Sequence, residues 1–157
     1  MIWFKRLSLF STFLTLCVVV FGAYVRLTDA GLGCPDWPGC FGTLSVPESV
    51  EAIAQANNMY PDSIVEVGKA WREMIHRYLA GGLGLLIAVL SFLAIKYRYQ
   101  IKVPLYLPLF LVVLVIFQAA LGMWTVTELL KPAIVSLHLI GGMTILGLLT
   151  YITHRHF

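Results

Sequence analysis

Glu73-Met-Ile-His-Arg77 runs directly into Tyr78-Leu-Ala-Gly-Gly-Leu-Gly-Leu-Leu-Ile-Ala-Val-Leu-Ser-Phe-Leu-Ala-Ile95. The second part decides the fold. Eighteen residues without a charge are long enough to cross a bilayer as a helix rising about 1.5 Å per residue. The first part sets a carboxylic acid and an imidazole three positions apart, and so on one helix face, where a polar loop enters that apolar run. Ionisable groups are expensive at such a place and are read first as functional.

Three further runs have the same character: Leu7 to Leu27, Val103 to Val126 and Ala133 to Thr153. With 59% hydrophobic residues in a chain of 157, the expectation is an all-α membrane protein. It would be a four-helix transmembrane bundle, up-down-up-down, forming a single domain over residues 1–157. The expected helices span about 7–28, 73–97, 103–126 and 133–153, with a long outer loop at 29–72. Helices satisfy their own backbone in lipid, and no alternating strand pattern argues for a barrel. The first run follows Lys5 and Arg6 but is too long for a signal-peptide core and lacks a small-residue cleavage site, so it reads as a retained helix.

Charge orients the bundle. Lys5, Arg6, Lys96, Arg98, Lys102 and Arg155 flank the ends that share one side. The loop holds Asp29, Asp36, Glu48, Glu51, Asp62 and Glu66 against Lys69 and Arg72. By the positive-inside rule both termini are cytoplasmic, at the cell's plasma (inner) membrane, and the loop faces out. The net charge of +3 therefore reports topology and implies no nucleic-acid partner.

Within the loop, Asp29-Ala-Gly-Leu-Gly-Cys34-Pro-Asp-Trp-Pro-Gly-Cys40 is dense in turn formers. Cys34 and Cys40 can close a tight loop on an oxidising side, as a structural staple or as a redox-active pair. Ser45-Val-Pro-Glu48 and Ser63-Ile-Val-Glu66 fit capping boxes, which predict a short helix with Val50, Ile53 and Ala54 on one face, and an early start of the next long helix near Ser63. Cys17 reads as a small apolar residue, and Arg26 as a snorkelling cation or a partner for an anionic ligand. Trp71, Tyr78 and Trp124 suit an interfacial belt. His154 and His156 read as solvated.

His138 falls in the first two turns of the fourth helix. His76 is 20 positions from Lys96 and His138 is 17 from Arg155, about 30 Å and 26 Å of helix. The imidazoles are thus expected at nearly one depth on diagonal helices about 11–14 Å apart. That gap admits a flat metallated ring held by one histidine from each side. Gly81-Gly82 and Gly141-Gly142 either make room for it or serve close helix packing. Phe21-Gly-Ala-Tyr24 echoes Leu121-Gly-Met-Trp124, and each histidine precedes a glycine pair, as two helix pairs of one design would. Glu73 is either a carboxylate paired with Lys69 or Arg77, or an acid at the edge of the ring that moves a proton or steadies a cation.

The stretch Arg26 to Cys40, with Glu73-x-x-His76-Arg77 and His138-x-x-Gly-Gly, resembles the N-terminal four-helix half of the heme A synthases, which serve cytochrome oxidase assembly. That resemblance implies oxidation of a ring methyl of heme O to a formyl group through successive hydroxylations. It implies Glu73 as the catalytic carboxylate, His76 and His138 as axial ligands of the heme iron, and Cys34 with Cys40 as the outer cysteine pair, a disulfide. Members of that family commonly have eight helices, with a second histidine pair and heme b in the other half. Such a four-helix chain would partner heme O, membrane lipid and a second copy or second half. Two other classes compete: a bis-histidine electron-transfer cytochrome, which needs neither Glu73 nor the cysteines, and a quinone-linked thiol oxidoreductase, which ordinarily needs two cysteine pairs where this loop offers one.

Overall fold

The computed structural model describes residues 2–101 and 103–156; Lys102, and the side chain of His156, lie outside the described residues. The chain forms α1 (Ile2–Leu27), α2 (Val50–Met59), α3 (Val67–Lys96), α4 (Tyr106–Thr127) and α5 (Pro132–His156). All but α2 are long and apolar enough to cross a membrane. Large apolar side chains face outward along their length, among them Leu85, Phe92, Val113, Ile116 and Ile140, as a surface in lipid requires. This is an all-helical membrane protein.

Each long helix packs on two neighbours: α1 on α3 and α5, and α4 on the same two. Around the ring the order is α1, α3, α4, α5, so α3 and α5 stand diagonally and run parallel. The α3–α4 and α4–α5 connectors are short and force antiparallel neighbours, whereas a long loop joins α1 to α3 and their pairing is set by the contacts between them. In α1 the buried residues include the small polar Ser8, Ser11 and Thr15 beside Phe4, Val18 and Val25. Ser8, Thr12 and Thr15 donate their hydroxyls to carbonyls three or four positions back. Satisfied in this way, such residues let helices approach closely in an apolar medium. Thr12 also bonds Thr153 of α5 at 3.0 Å, and Ser91 of α3 donates to the Pro108 carbonyl of α4 at 2.7 Å.

Two apolar clusters result. One fills the bundle, built on Phe4, Leu83, Ile87, Leu90, Leu111, Ile145, Leu149 and Ile152. The other lies under the loop, built on Cys34, Cys40, Phe41, Val46, Ala56, Ala70 and Met74. The bundle thus has a loop end and a basic end. At the basic end Arg6, Lys96, Arg98 and Arg155 each lie over the ring of a near neighbour, Trp3, Tyr97, Tyr99 and Tyr151.

The loop departs from two expectations. The short helix starts at Val50, not near Ser45, because Ser49 is the residue whose hydroxyl accepts the Ala52 amide. Glu48 is instead taken by the Trp71 indole, which donates to it at 2.6 Å. Val50 is exposed and Ala56 carries the buried contact. Likewise α3 begins at Val67 with Glu66 as its cap, while the Ser63 segment stays extended and Val65 bonds back to Asn57. The α4–α5 connector holds Leu129 and Leu130 in the left-handed region, with φ of 50° and 57°. Such strain persists where surroundings fix it; here Leu130 sits beside Gly31 of the loop.

Candidate functional site

The site grows from α3. Its Val67–Lys96 run carries Glu73, His76 and Arg77 along adjoining faces, at the junction between the loop cluster, which includes Met74, and the bundle cluster, which begins at Leu83. Glu73 is 5% exposed. One carboxylate oxygen accepts the Cys34 backbone N–H at 3.0 Å and the other accepts Arg77 Nη2 at 2.5 Å. A buried charge survives only when paired and hydrogen-bonded in this manner. Arg77 continues outward. Its Nη1 donates to the carbonyls of Asp36, Pro38 and Gly39.

That fork anchors the loop. Cys34 and Cys40 form a disulfide, both wholly buried. The carboxylate of Asp36 accepts the N–H groups of Phe41 and Gly42 at 2.6 and 2.9 Å, closing the turn behind it. The peptide between Trp37 and Pro38 is cis. Burial of both sulfurs favours the staple, since an exchange partner must reach one of them. Arg26, by contrast, is exposed and sits near Asp29 at the end of α1.

His76 and His138 lie on the diagonal helices α3 and α5. Each backs onto a glycine of its neighbouring helix. A methyl group on Gly22 of α1 would meet His76 Cε1 at 2.8 Å, and one on Gly122 of α4 would meet His138 Cε1 at 3.3 Å. The echo between Phe21-Gly22 and Leu121-Gly122 is therefore spatial: α1 with α3, and α4 with α5, repeat one helix pair. Phe21 also stacks near His76, ring centroids 6.5 Å apart. The glycine pairs differ. A side chain at Gly81 or Gly82 would meet nothing, whereas Gly141 and Gly142 close on Gln118 of α4, and Gly142 also on Val19.

The two imidazoles leave polar atoms that a metal group could use. Nδ1 of each histidine is buried without a hydrogen-bond partner. Among the described residues no group of three or more His, Cys, Asp or Glu could hold a bare ion. Two imidazoles alone suit a metal that brings its own equatorial ligands, which is the coordination of a haem iron.

Gln118 was not singled out by sequence reasoning. Its Nε2 donates to the His138 carbonyl at 2.6 Å, and its Oε1 is buried without a partner. The signal was present as one amide inside a long apolar helix that carries no charge.

These features define a helical membrane protein that keeps a buried acid and two imidazoles under a disulfide-closed cap. The chain belongs to the family described as cytochrome oxidase assembly protein (COX15-CtaA), which it matches over residues 5–157. Among curated relatives, the heme A synthase of Shewanella oneidensis is 51% identical over 147 residues, 94% of this chain and 43% of that one. The heme A synthase of an Exiguobacterium species is 33% identical over 85% of this chain and 40% of its own length. That of Oceanobacillus iheyensis is 30% identical over 93% and 42%. The chain thus spans about two-fifths of the length of these relatives, and the resemblance read from its motifs holds. No solved structure matches it.

Proposed function

We propose that the chain takes part in heme A formation, oxidising a ring methyl of heme O to a formyl group. His76 and His138 would hold the iron, one from each diagonal helix, and bound heme supplies the reactive ring. The change from methyl to formyl takes up one water and gives up four electrons and four protons, which two equivalents of a two-electron acceptor from outside the chain would have to take up. Glu73, one turn from His76 toward the loop end, contributes fixed negative charge near a carbon that becomes electron-poor. Arg77 and the Cys34 amide keep that carboxylate in place. The loop end would face outward and both termini the cytoplasm, in the plasma membrane. A second copy, or a second four-helix half with heme b, would complete the eight-helix arrangement.

The observation that carries this reading is the pair of half-buried imidazoles, each seated on a glycine and each with a partnerless Nδ1. The test is the optical spectrum of the purified protein beside His76→Ala and His138→Ala, with extracted heme identified by mass. A six-coordinate heme spectrum lost in both variants supports the reading; a pigment-free protein that takes up no added heme overturns it.

A second reading, an electron-transfer cytochrome, draws on one fact: both Glu73 oxygens are already engaged by donors. A native chain that keeps its histidine-ligated heme, also in Glu73→Gln, but leaves the ring methyl of added heme O unoxidised would favour it.

A further inference from the structure

The two helix pairs match at Gly22 with His76 and at Gly122 with His138, and the match breaks at two places. Toward the loop end, Glu73 and Arg77 accompany His76, where the corresponding positions before and after His138 are Val135 and Leu139. Toward the basic end, Gln118 stands one turn from Gly122, where α1 has Val18. Gln118 is the one amide in α4, a helix without charge.

Its two ends are treated differently. Nε2 donates to the His138 carbonyl. Oε1 occupies the space left by the missing side chain of Gly141, where a methyl group would collide with it, and is buried without a donor. A buried acceptor left unmade is costly, and lipid offers no water to relieve it. An amide kept in such a helix has a use. Gly141 follows His138 by three positions, so Oε1 lies on the histidine-bearing face of α5, about one turn, roughly 5 Å, toward the basic end.

A macrocycle gripped through its centre by His76 and His138 turns one edge toward that depth. Heme O carries two carboxylates on one side of its ring and, on the far side, a hydroxyl on the carbon that joins its isoprenoid tail. Carboxylates belong at the polar loop end and the tail among apolar helices, which brings the hydroxyl to the level of Gln118. We infer that Gln118 Oε1 accepts a hydrogen bond from this hydroxyl, and so selects the hydroxyalkyl heme over protoheme, which has a vinyl group there. The inference rests on the heme O reading above and deepens it.

Titration of the purified full chain with heme O and with protoheme, followed by absorbance, tests it. In Gln118→Met, which keeps the length of the side chain, heme O is expected to bind about tenfold more weakly, as loss of one hydrogen bond implies, while protoheme changes less than twofold. Gly141→Ala displaces Oε1 from the other helix and is expected to give the same selective loss, so misfolding of one variant leaves the other to decide. Equal weakening for both hemes, or unchanged heme O binding, overturns the role of Gln118 and leaves heme binding intact. A wild-type chain that binds neither heme takes down the functional reading and this inference together.

Discussion

Glu73 shows what a residue can and cannot reveal in isolation. Its spacing to His76 and Arg77 is legible as helix geometry, and Arg77 is indeed its ion-pair partner at i+4. The second bond, from the Cys34 amide, joins residues 39 apart and is made by a backbone group, which no side-chain pattern encodes. Arg77→Ala would strand the buried carboxylate and release three loop carbonyls. The expected cost is about 3–5 kcal/mol, the usual penalty for breaking a buried pair from one side, measured as chemical denaturation in detergent; Arg77→Lys should recover part of it, since a point charge cannot fork between carboxylate and loop. Gly22 and Gly122 offer a graded comparison. Overpacking costs about 1–3 kcal/mol, and Gly22→Ala meets its imidazole 0.5 Å closer than Gly122→Ala does, at 2.8 against 3.3 Å. Heme retained through purification should therefore fall further in Gly22→Ala. Equal retention would mean that the rings shift freely. Gln118 escaped notice because one amide in an apolar run looks like a tolerated impurity until Gly141 is found opposite it.

At the scale of elements, the long helices were legible because length and hydropathy alone determine them in lipid, whereas the loop followed competing local signals. Capping boxes are expected at Ser45 and Ser63, and the structure uses neither: Ser49 caps α2, and the segment after Ser63 is tied to Asn57 through Val65. Capping propensity is worth about 1 kcal/mol, small enough for tertiary contacts such as Trp71 with Glu48 to override. Ser49→Ala should loosen α2 by about that amount, seen as faster amide exchange confined to residues 50–59. Replacing both Cys34 and Cys40 by serine removes a cross-link between residues six apart, worth about 2 kcal/mol on loop-closure grounds. Faster exchange is expected across residues 33–43, with α4 and α5 unchanged. If protection in α4 and α5 falls equally, the loop is no separate unit.

For the whole molecule, the neighbours α3–α4 and α4–α5 follow from connector lengths, which are readable in the sequence, while the place of α1 and the contacts that lock the ring, such as Thr12 with Thr153 and Ser91 with Pro108, are not. Charge placement predicts sidedness. Ile64→Cys, at a position 82% exposed in the loop, should react with a membrane-impermeant maleimide added to intact spheroplasts, and reporters fused to either terminus should register the cytoplasm. Labelling only after lysis would invert the orientation.

The doubled helix pair carries one last implication. A container with near two-fold symmetry presents nearly the same walls to either side of a disc, so a guest could enter in two flipped poses and expose different rim carbons to the same reagent. What decides the pose is whatever spoils the symmetry: an anionic corner at one rim and an amide at the opposite one. Regioselectivity in such a vessel belongs to its imperfections, and on the proposed heme O reading a variant made more symmetrical is expected to yield a mixture of isomers where the native chain is expected to yield one.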